Sequence, residues 1–333
     1  MGQRPLTGNN PCVQSLANWW QHHAASLEPS ALIGVAYSGG ADSTALLLAA
    51  KALWGERVVA LHVNHGLQTA AHAFEQHGLA FCQTHAIAWR VERLQVAVAP
   101  GQSLEEQARL ARYQALAKLA TSADACGVVL LAQHAQDQLE TILIALSRGA
   151  GLPGLSAMAS DFMRHAQRFV RPILAVQAGD IRSWLAHSGH SFVDDPSNAD
   201  NTLTRNRIRA QVLPALEQAL PGIAQAAARS AAHAAQAQSL LVASALADAH
   251  SVGLPPNIVA LQQLVARSEA QGVNLLRYWL SHTPDATPSA AQLRELMQQI
   301  KACTTRGHRI HIKVGAGHVQ RSGDQLVFCA PII

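Results

Sequence analysis

The sequence predicts an α/β fold, a parallel sheet with helices on both faces, followed by a smaller and mostly helical domain. Three observations carry this reading. Apolar runs of strand length alternate with helical patterns between residues 31 and 149, as crossover-connected parallel strands require. Two polar loops, "YSGGADS" at 37–43 and "AQHAQDQ" at 132–138, each separate a strand pattern from a helical one. Ligands of such sheets bind outside the carboxyl ends of the strands, where both loops fall. Beyond the Pro221-Gly222 break the chain becomes alanine-rich and helical.

Taken in order, "ALIGVAYS" (31–38) reads as a buried strand and "ADSTALLLAAKAL" (41–53) as the helix after it. "VVALHVNH" (58–65) is a second strand, "AAHAFEQHGLAFCQTH" a helix, and "AIAWRVE" (86–92) a third strand. The periodicity of "SLEEQARLARYQALAKLAT" (103–121) is helical, with Ser103 as cap and Glu105 and Glu106 in the first turn. "GVVLLAQH" (127–134) is a fourth strand, and "QDQLETILIALSRG" (136–149) a helix closed by Gly149. "GAGLPGLSAM" reads as loop, "RFVRPIL" (168–174) as a strand running through Pro172, and "AGDIRSWLAHSG" (178–189) as a helix. "FVDDPSNADNTLTRNRIRAQVLPAL" (192–216) is a polar loop giving way to a helix. The alanine-rich stretch from residue 223 is an ordered helix by propensity. Two more helices, "GVNLLRYWLS" and "TPSAAQLRELMQQIKA", precede a terminal β-hairpin or meander in "HRIHIKVGAGHVQRSGDQLVFC". The expected domains are 1–218 and 219–333.

Composition narrows the class. A chain of 333 residues with 49% hydrophobic and 14% charged residues is globular. No apolar run approaches the roughly 18 residues of a membrane span, and the N-terminus lacks a secretory h-region, so no membrane association is expected. Cys12, Cys82, Cys126, Cys303 and Cys329 are scattered and never spaced as CxxC. That suits a reducing, cytoplasmic setting and argues against iron–sulfur or structural zinc chemistry. The whole formal excess of +4 lies in residues 221–333, a weak sign of nucleic-acid binding.

The glycine-rich motifs are not equivalent. A Walker A loop needs a lysine that residues 34–45 lack. "GAGLPG" (149–154) fits GxGxxG in letters but follows a helix and carries Pro153 where a cofactor-binding helix would start. "SGGADS" remains. Gly39 and Gly40 let the backbone turn its N–H groups toward an anion, Ser38 and Ser43 add hydroxyls, and Ala41 opens the helix whose dipole favours negative charge. Asp42 would repel a phosphate unless a divalent cation lies between them, so it reads as a Mg²⁺ ligand. Asp137 and Glu140, i and i+3 on one helix, can hold Mg²⁺ or an ammonium group. His134 stands at a strand end within reach of a nucleotide. Arg205 and Arg209 share a helix face and can meet phosphates or charge developing at a reacting phosphorus. Arg109 and Arg112, i and i+3, can reach a nucleotide or an RNA backbone.

The loop resembles the SGGxDS pattern of the N-type ATP pyrophosphatases, the PP-loop superfamily. Four further stretches resemble the tRNA(Ile)-lysidine synthetase family. "HVNHGLQ" (62–68) is similar to H-V-D/N-H-x-L-R, with Gln68 in place of arginine. "GQSLEEQARLARYQAL" is similar to the helix G-x-x-x-E-x-x-A-R-x-x-R-Y, placing Glu105, Arg109, Arg112 and Tyr113. "LAQHAQDQLET" is similar to a family pattern with a double histidine and a double aspartate, here with Gln133 and Gln136 as departures. "VDDPSNADNTLTRNRIRAQVLPAL" carries D-P-S-N-x-D and R-N-x-I-R at Asp195, Pro196, Ser197, Asn198, Asp200, Arg205, Asn206, Ile208 and Arg209.

The resemblance implies an adenine nucleotide alpha-hydrolase-like catalytic domain at 1–218 and a tRNA-recognition domain at 219–333. ATP is the implied co-substrate with Mg²⁺, held by Ser38, Gly39, Gly40, Ala41, Asp42, Ser43 and His134. The implied substrates are a CAU-anticodon tRNA(Ile) and free L-lysine, contacted by Arg109, Arg112, Asp137, Glu140, Asn206 and Arg209. The implied catalytic residues are Asp42, Asp137, Glu140 and Arg205; a homodimer is compatible with all of this. Lysine would be joined to C2 of the wobble cytidine through an adenylated intermediate. The alternatives are an inactive, ATP-sensing tRNA-binding protein and a tRNA cytidine thiolase, the second disfavoured by the missing CxxC.

Overall fold

The structure, a computed structural model, describes residues 9–64, 71–94, 104–122, 124–194, 202–305 and 307–330. Two compact units divide the chain, Met1–Ala234 and Ala235–Ile333.

The first unit opens with α1 (Pro11–His23), then β1 (Leu32–Ala36), α2 (Ala41–Trp54), β2 (Val58–Asn64), α3 (Ala71–Thr84), β3 (Ala88–Arg93) and α4 (Leu104–Thr121). It continues through β4 (Cys126–Leu130), α5 (Ala135–Ser147), the single turn α6 (Leu152–Leu155), the hairpin β5 (Asp161–Arg164) and β6 (Gln167–Val170), and α7 (Ala178–Ser188). After α8 (Thr204–Arg207) a π-helical stretch, Ile208–Val212, leads into α9 (Leu213–Ala219). The boundary between units falls inside α10 (Ile223–Val252).

The six-stranded sheet has the order β3-β2-β1-β4-β6-β5. All its pairings are parallel except that of β5 with β6. The chain steps outward from β1 to β3 and then returns to place β4 on the other side of β1. That reversal opens a crevice at the carboxyl ends of β1 and β4, the usual ligand position in open α/β sheets.

Alternation along the strands builds two apolar layers. Ile33, Val35, Ala60, Val128 and Leu130 pack with α1, α2, α3 and α7, and Val59, Leu61, Val129 and Leu131 pack with Leu116 and Leu119 of α4. Residues Ala45–Ala50 of α2 are fully buried, which explains the unbroken apolar stretch "ALLLAA" in a helix. The expected fold class holds.

Several details differ from the sequence reading. β6 stops at Val170 and does not run through Pro172; proline has no N–H for a ladder, and Arg171 N instead bonds to Ser160 O. Part of the expected 149–158 loop is α6, begun by extended Gly151 and favoured by Pro153 in its first turn. α1, β5 and, in the second unit, α11 (Ile258–Arg267) were not anticipated. α12 (Glu269–Ser281) and α13 (Ala290–Ala302) match the two expected helices. The C-terminal strands β7 (His311–Val314), β8 (Gly317–Ser322) and β9 (Gln325–Cys329) form an antiparallel meander. Its buried side chains Ile312, Val314, Val319 and Leu326 join the core of α11–α13. Among the described residues no helix is long and apolar enough to cross a membrane.

All five cysteines are free thiols, and only Cys329 is exposed. Burial pushes Cys12 and Cys82 up to about 12, with Asp42 adding to the effect at Cys12, and pushes Cys126 up to about 11. A maleimide at pH 8 is therefore expected to label one thiol quickly in the native protein and all five after unfolding. Two or more fast native thiols would contradict the packing.

Candidate active site

The loop between β1 and α2 is pinned from both sides. Gly39 takes φ +87°, a left-handed conformation that a β-carbon would strain, and its carbonyl accepts from Val193 N at 2.9 Å. Ser43 is buried; its Oγ donates to Gly40 O at 3.0 Å and lies 3.1 Å from Ser38 Oγ. Ser38 Oγ accepts from Gly40 N at 3.3 Å. α2 then starts at Ala41 with Gly40 as an N-cap that supplies no side-chain hydrogen bond. The N-terminal amides of this helix thus lack a side-chain cap and present their dipole at the crevice.

Asp42, in the first turn of α2, faces the start of α5. Its Oδ2 lies 3.5 Å from Nε2 of His134, and its Oδ1 is buried with no hydrogen-bond partner. His134 is the N-cap of α5 and is itself buried. Its Nδ1 lies 3.5 Å from Oδ2 of Asp137, which accepts from the His134 backbone N at 3.0 Å in a capping box. Burial pulls the His134 pKa down, but the flanking Asp42 and Asp137 carboxylates outweigh it and hold the value above the ordinary one. The imidazole therefore lies between the loop acid and the helix acid, its buried Nδ1 making no hydrogen bond.

One turn further, Glu140 is completely buried. Arg209 forks onto it, Nε to Oε1 at 2.8 Å and Nη2 to Oε2 at 3.1 Å, and also reaches Asp137 Oδ1 at 3.2 Å. Burial raises the Glu140 pKa, and Arg209 works against that rise. Arg205 is held far more loosely, 3.4 Å from Thr141 Oγ1 and 3.9 Å from Glu140 Oε2. Asn206, between them in sequence, is buried.

Arg109 pairs with Glu106 of its own helix at 2.6 and 2.9 Å, and Arg112 is exposed on the same helix. Neither forms an ion pair with Asp137 or Glu140. Of the family departures, Gln136 Oε1 accepts from Ala178 N at 2.9 Å and so caps α7. An amide oxygen serves there as well as a carboxylate. Gln133 Oε1 accepts from Arg171 Nε at 2.9 Å. Gln68, Ser103 and Asp195 to Asp200 lie outside the described residues. Sequence reasoning missed Arg171, whose placement between an apolar strand and a proline was the available signal. It also missed Val193, which acts through its backbone and has no side-chain signature.

Among the described residues no group of three acidic, histidine or cysteine side chains is arranged to hold a metal ion. Asp42 Oδ1 nevertheless suits a single contact to a cation whose other ligands are phosphate oxygens and water.

Residues 13–216 match a family model described as a PP-loop domain, and residues 260–327 match one described as a TilS substrate binding domain. The chain is 50% identical over 324 residues to a tRNA(Ile)-lysidine synthase of Polaromonas naphthalenivorans (strain CJ2), covering 97% of both chains. It is 40% identical over 274 residues to the enzyme of that name in Burkholderia pseudomallei (strain K96243), spanning 56% of that relative's length. The Escherichia coli O157:H7 enzyme of the same name is 36% identical over 297 residues, with 68% of it covered. Among solved structures, a U34-tRNA thiolase from Methanococcus maripaludis is similar with a TM-score of 0.52 at 12% identity, covering 66% of this chain and 79% of that one. That last likeness concerns the fold alone.

Proposed function

The chain belongs to the tRNA(Ile)-lysidine synthase family; it is a lysidine-forming enzyme, and we propose that the two loops flanking the β1/β4 crevice carry the two halves of the reaction. In the first half, the amides at the start of α2 with Ser38 and Ser43 hold the ATP phosphates. Cytosine O2 of the wobble nucleotide attacks the α-phosphorus, the bond to the β-phosphate breaks, and diphosphate leaves. Asp42 would hold Mg²⁺, which would supply neutralisation of the phosphate charge. Arg205, only loosely engaged by Thr141 and Glu140, is available to stabilise negative charge at the α-phosphate. Arg209 is committed to the two carboxylates and orients them.

In the second half the ε-amine of free L-lysine attacks C2, and AMP departs with the former O2. The amine must be unprotonated, so Asp137 first binds the ammonium and then takes its proton. The observation that supports this reading is the position of His134, within 3.5 Å of both Asp42 and Asp137, so that the two acids share one site. Beside Glu140 lies a cavity of about 300 Å³ lined by Thr141, Ile144, Ala145, Arg148, Pro153 and Arg205. Its apolar wall suits the lysine stem and Arg148 suits its carboxylate. Arg148→Ala is expected to raise the lysine KM about tenfold with the ATP KM unchanged; equal changes in both would remove Arg148 from the lysine site.

Withholding lysine tests the order of steps. With ATP labelled at the α-phosphate, label should enter the wobble cytidine and be released as AMP when lysine is added. Label that never enters the tRNA would overturn the adenylate route.

A further inference from the structure

The stretch "HVNHGLQ" begins at the carboxyl end of β2 and has no part in the reaction steps above. Its first residue, His62, is 5% exposed. Nδ1 of the ring lies 2.9 Å from Tyr37 O, and the ring stacks on Trp89 with centres 5.0 Å and planes 23° apart. A carbonyl oxygen can only accept, so Nδ1 carries a proton. Burial lowers the His62 pKa; the Tyr37 bond and the Glu75 charge oppose that shift without reversing it. The ring is therefore neutral at pH 7, and its single proton is the one on Nδ1. Asn64, two residues on, donates to Glu75 Oε2 at 2.8 Å, and Arg93 Nε donates to the same oxygen at 3.1 Å. The ends of β2 and β3 and the helix α3 are thus tied together around the ring.

Tyr37 immediately precedes Ser38 of the phosphate loop. Its N–H donates to Leu61 O at 2.9 Å, and its ring packs against Phe81 and Trp89. With these anchored, rotation of the next peptide is the freedom that remains. That peptide, Tyr37–Ser38, is held at both polar ends. Its carbonyl accepts from His62, and its N–H donates to Ser43 Oγ at 3.3 Å. A planar peptide held at both ends does not rotate. Ser38 Oγ and Ser43 Oγ consequently keep their places 3.1 Å apart.

We propose that His62 is a positioning residue of the phosphate loop: its Nδ1–H fixes the Tyr37–Ser38 peptide, and through it the two hydroxyls that face the ATP phosphates. This rests on the reading of that loop as the ATP cradle.

The test compares two variants of the full-length protein. His62→Phe keeps an aromatic ring on Trp89 and loses the donor. His62→Asn loses the ring and keeps an N–H near the place of Nδ1. His62→Phe should raise the ATP KM about tenfold, with kcat at saturating ATP and the lysine KM little changed. His62→Asn should restore most of that loss, even if urea unfolding shows it to be the less stable of the two. The reverse order, with Phe like wild type and Asn impaired, would show that the ring acts by packing and would overturn the proposal. A His62→Phe variant whose kcat falls while its ATP KM holds would overturn it as well, since that is the sign of lost folded enzyme. NMR of nitrogen-labelled histidine reads the wild type directly: the proton should sit on Nδ1 of His62, and an Nε2–H ring would end the proposal without any variant. ATP affinity measured with neither tRNA nor lysine present should follow the same order. A protein that binds ATP in this order but forms no lysidine would fail the functional reading and keep this one.

Discussion

Asp42→Asn is expected to lower lysidine formation by about two to three orders of magnitude while tRNA affinity stays unchanged. The substitution is nearly isosteric, so the loop held by Gly39, Ser43 and Val193 should persist. What disappears is a charge whose Oδ1 is buried without a partner and whose Oδ2 faces His134. If that charge positions a cation against the phosphates, the adenylation half-reaction should fail and raised Mg²⁺ should recover part of it. A variant with full turnover would remove Asp42 from the chemistry. A variant that also releases tRNA would instead make the loop a structural element of the binding surface.

Arg209→Ala is expected to cost stability as well as activity. Breaking a buried ion pair costs roughly 3–5 kcal/mol, and the solvent exposure of Arg209, 41%, lowers the expectation to about 2–3 kcal/mol. The loss should depend on pH in a definite sense. The folded-state pKa of Glu140 is raised above its ordinary value, so this group favours the fold most when protonated, at low pH, and that advantage fades as pH rises through the folded pKa. Without Arg209 the pKa should rise further, and the variant's deficit should grow from the ordinary carboxylate range toward neutrality. Glu140→Gln in the Arg209→Ala background should restore part of the stability, since an amide needs no counter-charge. Urea unfolding of wild type, the single variants and the double variant, at acidic and neutral pH, measures all of this. A deficit independent of pH, with no recovery in the double variant, would show that Arg209 acts by packing alone.

The sequence was most informative where chemistry is local. The SGGADS loop, the i, i+3 acids of α5 and the shared face of Arg205 and Arg209 could all be read because helix and turn geometry relates near neighbours. The layers of the sheet were legible from alternation, although strand ends were drawn too long. β4 stops at Leu130, Leu131 N still bonds to Val170 O, and residues 132–134 leave the sheet with Gln133 and His134 as site side chains. What depends on distant pairing was not legible. The fork of Arg209 onto Glu140 joins residues 69 positions apart, and no spacing rule foretells it. His134 was expected at the nucleotide; that its ring lies between two acids was not legible, because the position is set by where α2 and α5 begin across the crevice. Gln136 departs from the family's acid pattern in sequence and turns out to cap α7.

Lysine transfer itself tests the central claim most directly. Purified protein would be incubated with ATP, Mg²⁺, labelled lysine and an unmodified CAU tRNA(Ile) transcript, and label in the tRNA followed over time. Incorporation that requires ATP, disappears when the wobble cytidine is replaced by uridine, and falls with Asp137→Asn is the expected result. A protein that binds this tRNA and ATP but transfers no lysine and releases no AMP would contradict it.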